Sequence, residues 1–200
     1  MGKNQSLNNP YPLILASTSK YRQELLAQLG LSFTSLAPDF NEDSLKNKGL
    51  HPRNLSSDLA RHKAMAVFNL HPDCFVIGSD QVCVLGERIF SKPKTKENAI
   101  EQLQLLQGKS HQLITSVSIV FPDGEHTFIN ETSLKMRPLT EEQIFRYIDL
   151  EKPLDCAGSY KLESQGIKLF ESINMSDHTA IIGLPLIELC NHLIKIGYHI

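Results

Sequence analysis

The chain is predicted to fold as an α/β domain built on a mixed sheet. Three observations predict it. Short apolar runs alternate with helix-period stripes through the first half of the chain. Two longer strand-like runs then flank the turn "PDG" at residues 122–124, the mark of an antiparallel hairpin. No internal repeat or low-complexity tract interrupts this order. At 200 residues the chain is long enough to bury a core as one domain, residues 1–200, behind a polar, flexible tail over residues 1–11.

The elements follow in order. Leu13 to Ala16 reads as a buried strand, and Ser17, Thr18 and Ser19 can cap a helix carrying Leu25, Leu26 and Leu29 before Gly30 stops it. The polar segment from Phe33 to Asn54, with two prolines, reads as a long loop. A helix is expected from about Ser57, with Leu59, Ala60, Ala64, Val67 and Phe68 as its stripe. "CFVIGSDQVCVLGERI" reads as a buried strand ending near Gly78, an acidic turn and a second strand. Thr95 caps a helix closed by Gly108, and the hairpin runs from His111 to Arg137. Thr140 and Gln143 form a capping box. A loop from Cys156 to Gly166 leads to a strand near Ile167–Ile173. Pro185 opens a last helix carrying Leu186, Leu189, Leu193 and Ile194.

Composition narrows the function. A net charge of -2 supplies no global field for a nucleic-acid backbone. No apolar run approaches the roughly 20 residues of a membrane span, and the first residues lack the apolar stretch of a signal peptide. Cys74, Cys83, Cys156 and Cys190 show no C-x-x-C spacing and read as reduced thiols of a cytoplasmic protein. The eight histidines lack metal-ligand spacing, and no Walker, G-x-G-x-x-G, G-x-S-x-G or H-E-x-x-H motif is present.

Three places carry unexpected polar chemistry. At "STSKYR", hydroxyls and free N–H groups where a strand feeds a helix can bind an anion, with Arg22 adding a bidentate phosphate contact. The same residues also read as a plain helix cap with surface cations. Asp80 ends an apolar run, where a carboxylate can take a proton from water, hold a divalent cation or simply open a turn. Lys63 falls inside an apolar stripe, four residues from both Leu59 and Val67, so its ammonium either snorkels outward or meets an anion. Glu42 and Asp43 read as solvated loop acids unless folding brings one beside Asp80, a pairing suited to metal-assisted phosphoryl chemistry.

"LILASTSKYRQELL", "IGSDQV", the Lys-Pro at Lys92 and "IIGLPLIEL", in this order, resemble the Maf family of nucleoside triphosphate pyrophosphatases. The resemblance runs from Leu13 into the last helix. It implies an elongated mixed sheet flanked by helices, two lobes around a cleft as in Maf and ITPase folds, and a homodimer. It implies hydrolysis of a nucleotide to its monophosphate and diphosphate with a divalent cation, Mg or Mn. By the same match Asp80 is the proton acceptor and, with Glu42, a metal residue. Ser17, Arg22, Lys63 and Lys92 take the phosphate-binding places. Three positions depart from the family pattern: Ser91 before Lys92, Ser116 after Thr115, and Asn41 before Glu42. The last would weaken metal binding if the usual acid there is a ligand.

Tyr21, Gln81 and Glu163 resemble the branch that acts on 7-methyl-GTP rather than on dTTP or UTP. A methylated guanine is cationic, and an aromatic face attracts a cation by about 0.5–2 kcal/mol. Glu163 would accept from the guanine N1–H and amine, with Gln81 adding a polar contact. Tyr21 also reads as a helix residue packing on Leu25. Hydrolysis of dTTP or UTP, and a nucleotide-binding regulatory role in cell division with little turnover, are the alternatives to a 7-methyl-GTP pyrophosphatase.

Overall fold

Strand β1 (Leu13–Ala16) is buried along its whole length because it is flanked on both edges, by β2 (Phe33–Leu36) and by β3 (Phe75–Leu85), both parallel to it. The computed structural model describes residues 11–200. The expected N-terminal tail lies outside the described residues as far as residue 10. Tyr11, assigned to that tail by sequence, instead packs its ring 6.0 Å from Phe75.

The sheet continues antiparallel from β3 into β5 (Ser110–Phe121), β6 (Gly124–Met136) and β7 (Phe170–Asn174), giving the order β2-β1-β3-β5-β6-β7. A seventh strand, β4 (Arg88–Phe90), folds back onto the end of β3. The mixed sheet flanked by helices matches the sequence expectation, and its three long central strands make it elongated.

Each face of β3 has its own helices. Val76 packs with Ala64 and Val67 of α3 (Pro52–Phe68), and Val82 and Val84 pack with Leu55 and Leu59 of the same helix. On the opposite face, Ile77 meets Leu25 and Leu26 of α1 (Lys20–Ala27) and Leu189 and Leu193 of α6 (Leu186–Lys195). Farther along that face Cys83 joins a separate core with Leu103 of α4 (Lys96–Leu106) and Ile144 of α5 (Glu141–Glu151). Two apolar cores on one face of one sheet are the two expected lobes.

Gly78 sets the approach of α3. A Cβ there would lie 2.2 Å from the Ala60 carbonyl oxygen and 2.7 Å from the Ala64 nitrogen. The predicted caps form as read: Ser19 accepts from the Arg22 N–H, Thr95 from that of Asn98, and Thr140 and Gln143 make the reciprocal box.

Four sequence expectations are corrected. The long loop contains β2 and a short helix, α2 (Asp43–Lys46); an edge strand with one partner needs little apolar character. Helix α3 begins at Pro52, five residues early, because proline suits the first helical position. β3 does not turn at Asp80 but runs through it, since β5 pairs with it continuously from Val76 to Val84. Ile194 is 58% exposed, on the side of α6 away from the buried Leu189 and Leu193. Among the described residues no helix is long and apolar enough to cross a membrane.

Candidate active site

One edge of β3 is open at its centre. β1 pairs with it only as far as Ile77, and β4 begins pairing at Cys83, leaving residues 78–82 without a strand on that edge. Asp80 lies in this gap, beyond the carboxyl end of β1 rather than at the end of its own strand. The gap opens into a cleft of about 720 Å³, within the usual range for small-ligand sites. All nine residues singled out by sequence line it.

Strand alternation aims Asp80 at α3, the face on which Gly78 admits the helix. Lys63 donates from Nζ to Asp80 Oδ1 at 2.6 Å and lies 2.9 Å from Glu42 Oε1. Both Lys63 and Asp80 are buried, at 8% exposure each. Of the two sequence readings for Lys63, snorkelling is therefore excluded: its ammonium meets anions. Replacing a buried ion pair by apolar residues is often neutral or stabilising by roughly 1–4 kcal/mol. Stability alone therefore does not account for an ion pair inside this apolar stripe.

Glu42 reaches the cluster from the start of α2 and also binds Lys46 Nζ at 2.5 Å. Burial pushes its carboxyl up, but Lys63 and Lys46 outweigh burial and hold it down at about 2. Sequence reasoning passed over Lys46, although its spacing of four from Glu42 is the favoured helical ion-pair register. Asn41, the departure beside Glu42, is exposed and accepts from the Asp43 N–H, closing an Asx turn just ahead of α2. Ser116, opposite Asp80 on β5, hydrogen-bonds Ser56 of α3 at 2.7 Å.

The opening turn sits at the rim. Ser17 is buried and accepts from the Ser19 N–H at 3.1 Å. Arg22 donates from Nε to the Gly183 carbonyl at 2.9 Å, and Ser79 Oγ donates to that same oxygen at 2.8 Å. Burial lowers the Arg22 guanidinium from its ordinary value, while Asp80 and Glu42 pull it back. The tie to Gly183 was invisible in sequence because its acceptor is a backbone atom, 161 residues away.

The far end of the cleft carries a different charge. Tyr21 is half-buried; burial pushes its phenol up, Lys161 opposes that, and Asp155, Cys156 and Glu163 add to it. Tyr21 therefore shares an electrostatic environment with the 155–163 loop, and Glu163 is exposed there. Gln81 donates its amide to Ala180 O at 2.8 Å, Ile181 O at 3.1 Å and Thr115 Oγ1 at 2.9 Å. Its NH₂ is fully used, so any ligand contact falls to its carbonyl oxygen. Lys92 is exposed at the wall of the cleft beside β4.

Among the described residues no group of three or more His, Cys, Asp or Glu side chains is arranged to hold a metal ion. Glu42 and Asp80 make a two-carboxylate donor set. That set fits a hard cation whose remaining ligands are phosphate oxygens and water.

Residues 12–196 match the family described as Maf-like protein. The chain belongs to the Maf family. This Maf-family chain is 48% identical over 177 residues to a protein of Bdellovibrio bacteriovorus named 7-methyl-GTP pyrophosphatase, covering 88% of this chain and 93% of that one. It is 44% identical over 188 residues to a protein of the same name from Pseudomonas putida, covering 93% and 97%. Among solved structures it resembles the Staphylococcus aureus Ham1 protein, with a TM-score of 0.52 and 16% identity over 92% of this chain and 98% of that one. That likeness bears on the fold.

Proposed function

We propose that this Maf-family enzyme is a nucleoside triphosphate pyrophosphatase that hydrolyses 7-methyl-GTP to 7-methyl-GMP and diphosphate. The observation that carries the proposal is the buried Lys63–Asp80 pair, joined by Glu42, on the floor of a cleft large enough for a nucleotide. The names of the relatives supply the substrate class.

In this reading the triphosphate lies over the cationic end. Arg22 and the Ser17 turn bind its oxygens, Lys92 closes on it from the wall, and Lys63 offsets its charge at the α-phosphoryl group. Asp80 accepts a proton from a water that attacks the α-phosphorus; the bond to the bridging oxygen breaks and diphosphate leaves. Lys63 holds the Asp80 carboxylate in place for that transfer. Glu42 and Asp80 would hold a Mg or Mn ion with the phosphates, and such an ion, when bound, neutralises phosphoryl charge. At the other end the Tyr21 face and Glu163 read the base: the ring favours the cationic methylated guanine, and the carboxylate accepts from its donor edge. The proposal includes a homodimer, as the family resemblance implies, working in the cytoplasm, in line with the reading of the cysteines as reduced thiols.

The test is diphosphate release by the purified protein with divalent metal across GTP, 7-methyl-GTP, UTP and dTTP. The 7-methyl-GTP rate should lead; a lead for UTP or dTTP would overturn the substrate assignment. Asp80→Asn should retain the wild-type circular dichroism and lose at least about 10²-fold in kcat, the lower range for a general base. Undiminished turnover would remove Asp80 from the mechanism.

A further inference from the structure

The segment that packs on Ser79 and Gln81, on the face of β3 away from Asp80, is held by a side chain outside the site. Asp177 is completely buried, at 0% exposure. Its Oδ1 accepts from the Thr179 N–H at 3.0 Å and the Thr179 hydroxyl at 2.7 Å. Its Oδ2 accepts from the N–H groups of Ile187 at 2.7 Å and Glu188 at 3.3 Å, at the start of α6. Thr179 Oγ1 in turn accepts from the Leu186 N–H at 2.7 Å. One carboxylate and one hydroxyl therefore pin both ends of the 179–186 turn to each other.

Between those pins the turn presents backbone carbonyls to the cleft residues. Gly183 O takes Arg22 Nε and Ser79 Oγ, and Ala180 O takes Gln81 Nε2 and Thr115 Oγ1 at 3.0 Å. Gly183 adopts φ +114°, a conformation open to glycine, and a Cβ on it would lie 3.2 Å from Arg22 Nε. Arg22 reaches no carboxylate within ion-pair distance among the described residues. Its side chain is anchored on that one carbonyl. A guanidinium held through Nε leaves its two terminal nitrogens available as a fork for phosphate.

We infer that Asp177, through Thr179, is the positioning residue of the phosphate site: it sets the Gly183 carbonyl and thereby the direction of the Arg22 guanidinium. The inference rests on the reading of Arg22 as a phosphate-binding residue. Asp177 does not line the cleft itself and reaches its phosphate end through Arg22. An amide at 177 presents one acceptor oxygen where the turn uses two, so the turn must relax.

The test measures binding of inorganic tripolyphosphate to the full-length protein by calorimetry, for wild type, Arg22→Gln, Asp177→Asn and the double variant. Arg22→Gln and Asp177→Asn should each weaken binding about tenfold, and the double variant should be no weaker than Arg22→Gln alone. In parallel, the Arg22 Nε–H resonance in ¹⁵N-labelled protein should be protected from exchange in wild type and lost in Asp177→Asn. Thr179→Val, milder in shape, should repeat both effects, and Thr179→Ser should restore them; this pair carries the test if Asp177→Asn does not fold. Additive losses in the double variant, or an unchanged Nε–H resonance, overturn the inference while leaving Arg22 a phosphate ligand. Unchanged binding by Arg22→Gln overturns the phosphate reading of Arg22 and this inference with it.

Discussion

Lys63 is the residue that connects the two carboxylates of the cleft. A single ammonium within 3 Å of Glu42 and Asp80 neutralises part of their repulsion and keeps both oriented toward the same space. In the proposed reading the base end rests on another residue, Glu163, which is exposed and free of the Lys63 cluster. Glu163→Gln keeps the size and an acceptor oxygen but removes the negative charge that favours a cationic base. The ratio of kcat/KM for 7-methyl-GTP over GTP should fall about tenfold while kcat for GTP changes less than threefold, consistent with roughly 1.4 kcal/mol per factor of ten. An unchanged ratio in steady-state assays would exclude Glu163 from base reading. Most of these residues were legible singly in the sequence: Lys63 by its place in an apolar stripe, Asp80 by ending an apolar run. Their meeting was not, because Glu42, Lys63 and Asp80 come from a short helix, a long helix and a strand.

At the scale of elements, the site depends on how close α3 lies to β3. Gly78 permits that approach, with a Cβ placed 2.2 Å from the backbone of Ala60. Gly78→Ala forces helix and strand apart and should cost about 1–3 kcal/mol, the usual range for overpacking. Because Lys63 lies between Ala60 and Ala64 on the same helix, kcat should fall as well. Urea denaturation together with diphosphate release checks both, and a variant of wild-type stability would show that the helix yields without cost. Elements with strong local signals were read correctly: the capped α4, the boxed α5 and the "PDG" hairpin each carry their own turn or cap chemistry. β2 and the continuity of β3 were missed because they rest on pairing partners. β2 is a strand through its bonds to β1, and β3 passes straight through Asp80 because β5 supplies an unbroken ladder.

The whole molecule should lose stability on acidification. His111 is buried in the second core, where its Nε2 pairs with Tyr160 Oη at 3.0 Å. Burial pushes its imidazole down to about 4, with a backbone contact to Lys109 opposing. Between that value and the ordinary 6.5 the unfolded chain binds a proton that the folded chain refuses. Folding free energy is therefore lost as pH falls from about 6.5 to 4, by up to about 3 kcal/mol. Glu42 extends the trend: its folded value of about 2 lies below the usual carboxylate range, so its contribution is present above about 4.5 and lost as pH falls through 2. Urea midpoints from pH 7 to 4 should decline, and His111→Gln should flatten the upper part of that curve. A wild-type curve flat over this range would mean that His111 is protonated within the fold.

What the sequence determined by itself was the order of most elements, the residue types of the site and, through ordered motifs, the family. These are local properties: hydrophobic period, cap chemistry and short runs of residues are all written along the chain. Only the tertiary structure decided that β1 stops short of Asp80, that Lys63 bridges Glu42 and Asp80, and that Arg22 hangs from the carbonyl of Gly183. Those are relations between distant segments, set by strand register and helix packing. A backbone carbonyl, identical in every residue, leaves no mark in a sequence to say which guanidinium it will hold.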